Sequence, residues 1–110
     1  MGISTHILDT TRGRPAQGVT VRLEQLAPGG AAELARGVTN EDGRVKPLLD
    51  VIPAAGAYRL HFEVAPYFAG LGVESFYPSV SIDFVVRATH EHYHVPLLLN
   101  PYGYATYRGS

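Results

Sequence analysis

The chain has no cysteine, so disulfides and thiolate metal sites are excluded and stability must come from packing. It has almost no charge bias, with 9 Lys and Arg against 10 Asp and Glu for a formal net charge of -1. No basic run exists to hold phosphate backbones or anionic lipid, and nucleic acid is not an expected partner. No stretch approaches the roughly 18 apolar residues of a membrane span. The opening "MGISTHILDTTRG" lacks the basic, apolar and small-residue regions of a secretory signal. His6 stands where a myristoylation signal wants Ser or Thr, and the closing "RGS" is not a peroxisomal tripeptide. The expectation is a soluble, cytoplasmic protein, mature from its first residue. With no internal repeat, linker or low-complexity tract, 110 residues are expected to form one domain over 1–110.

Alternation with a period of two is plentiful, and it marks half-buried strands. In "VTVRLEQL", Val19, Val21 and Leu23 oppose Thr20, Arg22 and Glu24; in "YRLHFEV", Tyr58, Leu60, Phe62 and Val64 oppose Arg59, His61 and Glu63. "SVSIDFVV" sets Val80, Ile82, Phe84 and Val86 against Ser81 and Asp83. Turn signals separate these runs: "RGRPAQG", "APGG", "NEDGR", "IPAAGA" and "NPYG". Regular strands with Gly/Pro punctuation predict an all-β, two-sheet sandwich of seven or eight strands. "APYFAGLG" at 65–72 spaces its apolar residues as a helix does and predicts one short helix.

Three of the five histidines, His90, His92 and His94, lie two residues apart in "THEHYHVPLLLN". Residues two apart in a strand share a face, so the histidines occupy one side and Tyr93, Val95, Leu97 and Leu99 the other, which must be the core. His-x-His is a metal-ligand spacing, but it is weak here without cysteine and with Glu91 facing away. Decoration of a solvated strand and catalysis or substrate contact remain open beside it. In "ISTHILD", Ile3, Thr5 and Ile7 are expected inside and Ser4, His6 and Leu8 outside. Outward faces that mix His6 and the histidine cluster with Leu8, Pro96 and Leu98 suggest a surface covered by another subunit. Asp42-Gly43 is a two-residue hairpin signal that would deliver Arg44 at the start of a following strand. The tyrosine-rich alternation of "YGYATYRGS" suggests that Tyr107, Arg108 and Ser110 are tied down, although termini usually fray.

Taken together, "STHILDTTRGRPAQGVTVRL", "TNEDGR" and "HYHVPLLLNPYGYATYRGS" resemble the 5-hydroxyisourate hydrolase family, or transthyretin-related proteins, over nearly the whole chain. The terminal "YRGS" is its most specific mark, separating hydrolases from the hormone-carrying transthyretins of the same fold. Two positions, Asn100 and Ala105, depart from the family pattern, and neither matches a catalytic residue. The resemblance implies a transthyretin-like homotetramer of eight-stranded sandwiches with a short helix, its active sites in a channel where two dimers meet. By motif position it places catalysis on His6, Arg44 and His94 and substrate contact on Tyr107, with Arg108 and Ser110 less securely placed; no metal or cofactor is implied.

The implied reaction is hydrolysis of the N1–C6 amide of 5-hydroxyisourate to 2-oxo-4-hydroxy-4-carboxy-5-ureidoimidazoline, in urate degradation. Such chemistry needs an activated water, a stabilised oxyanion and a proton for the leaving nitrogen. Imidazoles titrate near neutrality and can serve as base and then acid, while arginine stays cationic and polarises a carbonyl. Which histidine is the base stays open, and His90 and His92 are not implied as catalytic. The competing expectation is a transthyretin-like carrier of small ligands or a prealbumin-like binding domain, which shares the opening and the Asp-Gly turn but has no need of two histidines and an arginine at one place.

Overall fold

In the computed structural model, which describes residues 2–46, 48–87 and 91–110, the alternating segments become β-strands. They run in the order β1 (Ile3–Asp9), β2 (Arg14–Pro15), β3 (Thr20–Ala27), β4 (Gly30–Val38), β5 (Gly56–Glu63), helix α1 (Val64–Gly70), β6 (Val80–Val86), β7 (Tyr93–Asn100) and β8 (Gly103–Thr106). Two four-stranded sheets result, β2-β1-β7-β8 and β4-β3-β5-β6. The expected two-sheet sandwich with one short helix is what forms.

Period-two patterning decides which face of each strand turns inward. Ile3, Ile7, Val95, Leu97 and Leu99 of one sheet and Val21, Leu23, Tyr58, Leu60, Phe62 and Val80 of the other are buried. Each such side chain contributes about 1.5–3 kcal/mol relative to exposure. Thr5 also points inward, and its hydroxyl donates to the Val95 carbonyl at 2.6 Å. The helix carries Pro66 in its first turn, where a missing N–H costs nothing, and the chain leaves it through Gly72 at φ 71°.

The two outer faces differ in chemistry. On the β3–β5–β6 sheet the outward residues form ion pairs, Arg22 with Glu63 at 3.3 Å and Arg59 with Asp83 at 2.7 Å. His61 sits among them, 3.0 Å from both Glu63 and Ser81. Exposed pairs of this kind are worth about 0–1 kcal/mol each. The outer face of the β1–β7 sheet carries His6 and His94 instead.

Two expectations need adjusting, and one strand carried no expectation. Strand β4, "GAAELARGV", is mostly exposed and rich in Ala and Gly, so it shows no clear alternation in sequence. Arg44 does not open a strand: the Gly43 carbonyl accepts the Ile7 amide at 2.9 Å, so the turn docks on β1, and among the described residues between it and β5 Leu49 forms an isolated bridge to Ile3. The last strand stops at Thr106, and the tail is held by a bridge between Gly109 and His94. His90 lies outside the described residues. Among those described, no helix is long and apolar enough to cross a membrane.

Candidate active site

Strands β1 and β7 pair in parallel, with Ser4 beside His94 and His6 beside Pro96. Ser4, His6, His94 and Pro96 therefore share the outward face, and His6 and His94 are diagonal neighbours with Cα atoms roughly 8 Å apart. Leu8 and Leu98, one step further along, are half-buried, whereas Pro96 is fully covered within the chain.

The turn at 40–44 brings Arg44 to this face. The Asn40 side-chain oxygen accepts the amides of Asp42 at 2.9 Å and Arg44 at 3.1 Å, and the Asn40 amide donates to the Arg44 carbonyl at 2.8 Å. Gly43 sits at φ 74°, in the left-handed region, and a Cβ there would stand 2.5 Å from the Ile7 carbonyl oxygen. Only glycine fits a turn that must both reverse and lie against β1.

Electrostatics tie the three residues together. Burial and then the Arg44 charge hold the His6 pKa below its ordinary value, against an opposing hydrogen bond to the Asp42 backbone and the Asp42 charge. His94 is lowered by burial first, then by Arg44, His6 and His92, with a hydrogen bond to the Ser4 backbone opposing. Both imidazoles are therefore neutral near neutral pH and able to accept a proton. A fixed cation beside two neutral bases is suited to polarising a carbonyl while water loses a proton.

His92 joins the group through Ser4, whose Oγ lies 2.7 Å from His92 Nε2 and 2.8 Å from His94 Nδ1. The C-terminal tail closes over β7. Gly109 donates its amide to the His94 carbonyl at 2.8 Å, in register with the Leu97–Thr106 pairing of β7 and β8. That register turns Tyr107, 58% exposed, toward the histidine face and Arg108 toward the opposite one. The Arg108 guanidinium stacks 4.5 Å from the Tyr93 ring centroid and pairs with Glu91 at 3.3 Å.

Of the residues singled out in the sequence, His6, Arg44 and His94 come together and Tyr107 lies on their sheet face. Arg108 is engaged elsewhere, and Ser110 is exposed beyond the Gly109 bridge. Ser4 and Asn40 went unremarked as site residues. Ser4 had a weak signal, standing two before His6 on the same face; Asn40 had only its place before an Asp-Gly turn. Among the described residues no group of three or more His, Asp or Glu side chains is placed to hold a metal ion. A groove of about 470 Å³ opens between the β6 and β8 edges, lined by Phe84, Val85, Tyr93, Thr106, Tyr107 and Arg108.

The sequence pattern of the HIUase/Transthyretin family matches residues 3–109. A 5-hydroxyisourate hydrolase of Salmonella dublin is 48% identical over 109 residues, covering 98% of this chain and 80% of that protein. The solved structure of Klebsiella pneumoniae 5-hydroxyisourate hydrolase is similar with a TM-score of 0.86 at 42% identity, covering 98% of this chain and 92% of that one. Sea bream transthyretin in complex with thyroxine reaches a TM-score of 0.91 at 30% identity, covering 97% and 93%. With two sheets of the same architecture and a match that runs from β1 to the tail bridge, this chain belongs to the HIUase/Transthyretin family.

Proposed function

We propose that this protein is a hydrolase that opens the six-membered ring of 5-hydroxyisourate, as the names of its hydrolase relatives suggest. The observation that carries the reading is that Arg44 lies beside His6 and His94 on one sheet face and lowers the pKa of both. Water held by the two imidazoles gives up a proton as its oxygen attacks the C6 carbonyl. Arg44 stabilises the oxyanion, and the imidazolium returns the proton to N1 as the C–N bond breaks. Tyr107 and Ser110 contact the substrate's polar edges, while Arg108, taken up by Tyr93 and Glu91, anchors the tail. Transthyretin shares the fold, but a carrier needs no pair of bases beside a cation.

The site is completed by assembly. Leu8 and Leu98 remain half-exposed around the histidines, and Val85 and Tyr104, on the strands at the open sheet edges, are exposed. These features support a homotetramer in which two subunits meet over the histidine face. Light scattering checks this, and a stable, fully active monomer would contradict it.

The direct test generates 5-hydroxyisourate with urate oxidase and follows its ultraviolet decay with and without the protein. Decay no faster than the spontaneous rate, with the protein shown to be folded, would sink the enzyme reading.

A further inference from the structure

Ser4 has no part in the mechanism above, yet its hydroxyl stands between two histidines, 2.7 Å from His92 Nε2 and 2.8 Å from His94 Nδ1. A hydroxyl has one proton to give, so at most one of these nitrogens can accept from it, and at least one ring must carry a proton toward Ser4. If His94 accepts water's proton on Nε2, as the proposed hydrolysis allows, its resting proton sits on Nδ1 and is donated to Ser4 Oγ. The Ser4 hydroxyl then donates to His92 Nε2.

We propose, resting on that hydrolytic reading, that Ser4 is a positioning residue that fixes the His94 tautomer and, with His92, forms a proton relay from the site to solvent. When His94 Nε2 takes the proton of the attacking water, its Nδ1 proton passes to Ser4 Oγ and the Ser4 hydroxyl proton passes to His92 Nε2. His94 ends neutral with its proton on Nε2, Ser4 ends as a hydroxyl now donating to His94 Nδ1, and His92 becomes the imidazolium. The reverse sequence delivers the proton to the leaving nitrogen.

Two observations favour moving the charge outward. His94 is half-buried and faces Arg44 and His6, which both penalise a cation there. His92 precedes β7 at the end of that face and is exposed within the chain, where water solvates its charge. Among the described residues, the titratable and charged groups around the relay are His6 on β1, Asp42 and Arg44 on the turn, His92 just before β7, His94 on β7 and Tyr107 in the tail. The direct neighbour of His94 across the strand pair is Ser4 itself, so the bridge follows from the β1–β7 register.

The test compares wild type with Ser4→Ala, Ser4→Thr, His92→Gln and the Ser4→Ala/His92→Gln double variant. kcat and KM are measured across pH, and the His94 tautomer is read from imidazole ¹⁵N shifts. In wild type the neutral His94 proton is expected on Nδ1. Ser4→Ala is expected to lower kcat by about tenfold to a hundredfold with KM within about twofold, and to alter the acidic limb of the pH profile. Ser4→Thr, which keeps the hydroxyl, should recover to within about threefold, and the double variant should be no slower than Ser4→Ala. An unchanged kcat and pH profile in Ser4→Ala, additive losses in the double variant, or a resting proton on His94 Nε2 in wild type would each overturn the relay. A wild-type protein inactive on 5-hydroxyisourate would refute the hydrolytic reading instead, and the tautomer measurement decides the Ser4 bridge without turnover.

Discussion

A Cβ placed on Gly109 would stand 2.5 Å from His94 Cδ2, so the tail crosses the imidazole with no room for a side chain. The Gly109 amide meanwhile donates to the His94 carbonyl at 2.8 Å. Gly109→Ala must push either the tail or the ring aside. The expected result is a stability loss of about 1–3 kcal/mol and at least a tenfold fall in kcat/KM, about 1.4 kcal/mol of barrier. Urea melts and steady-state rates on the same preparation check it; full activity would mean that the tail is free to move.

Arg44 holds down the pKa of both His6 and His94, second only to burial in each case. Removing its charge in Arg44→Gln lets both rise toward the ordinary histidine value. On the proposed mechanism the neutral imidazoles are the active forms and Arg44 the oxyanion partner, so the acidic limb of kcat/KM should move to higher pH, beside a rate loss on the order of 10²–10³. A limb that stays put, or moves to lower pH, contradicts the electrostatic link.

Four of the five histidines should separate in an alanine series. His6→Ala and His94→Ala are expected to lose about 10²-fold or more in kcat. His61→Ala, on the opposite sheet among Glu63 and Ser81, is expected to stay within about twofold. His90→Ala is the comparison within the cluster; a loss as large as that of His94→Ala would mean that the catalytic histidine was chosen wrongly.

Stability should also depend on pH through the same pair. His6 and His94 bind protons more weakly folded than unfolded. Below about pH 6.5 the unfolded chain takes up protons first, so the stabilisation present above that pH is lost as pH falls through the folded pKa values. The urea midpoint is expected to drop on moving from neutral to mildly acidic buffer. The drop should be smaller in a His6→Gln/His94→Gln variant, and an identical drop in both proteins would assign it to other groups.

Asp9 is buried and accepts hydrogen bonds from the Tyr67 hydroxyl at 2.7 Å and the amides of Thr11 and Arg12 at 3.0 and 3.1 Å. It ties β1 to α1 and shapes the loop that follows β1. Asp9→Ala strands those donors and is expected to cost about 3 kcal/mol, whereas Tyr67→Phe, which leaves both amide contacts, should cost roughly 1.5 kcal/mol. Equal denaturation midpoints for Asp9→Ala and wild type would show the carboxylate to be dispensable.

The inward and outward sets of β1, β3, β5, β6 and β7 could be read from alternation because a buried face is filled mostly by apolar residues, with a polar one such as Thr5 or Asp9 only where hydrogen bonds satisfy it, a constraint local to each strand. The short helix was legible for the same reason. Strand β4 was not, since Ala and Gly at an exposed edge bury little and leave no pattern. The path after Asp42-Gly43 was misread because a hairpin signal specifies a reversal and not the partner: the Gly43 carbonyl meets Ile7 across the fold.

The same division holds for the site. From the sequence, motif position proposed His6, Arg44 and His94 for the chemistry, and periodicity put His6 and His94 on wet faces. The sequence could not say that β1 and β7 run parallel with Ser4 beside His94, because register between strands some 90 residues apart is a tertiary fact. Nor could it tell that Arg108 turns to Tyr93 and Glu91. Side-chain type is written in the chain, but the distance between two side chains exists only once the backbones that hold them have paired.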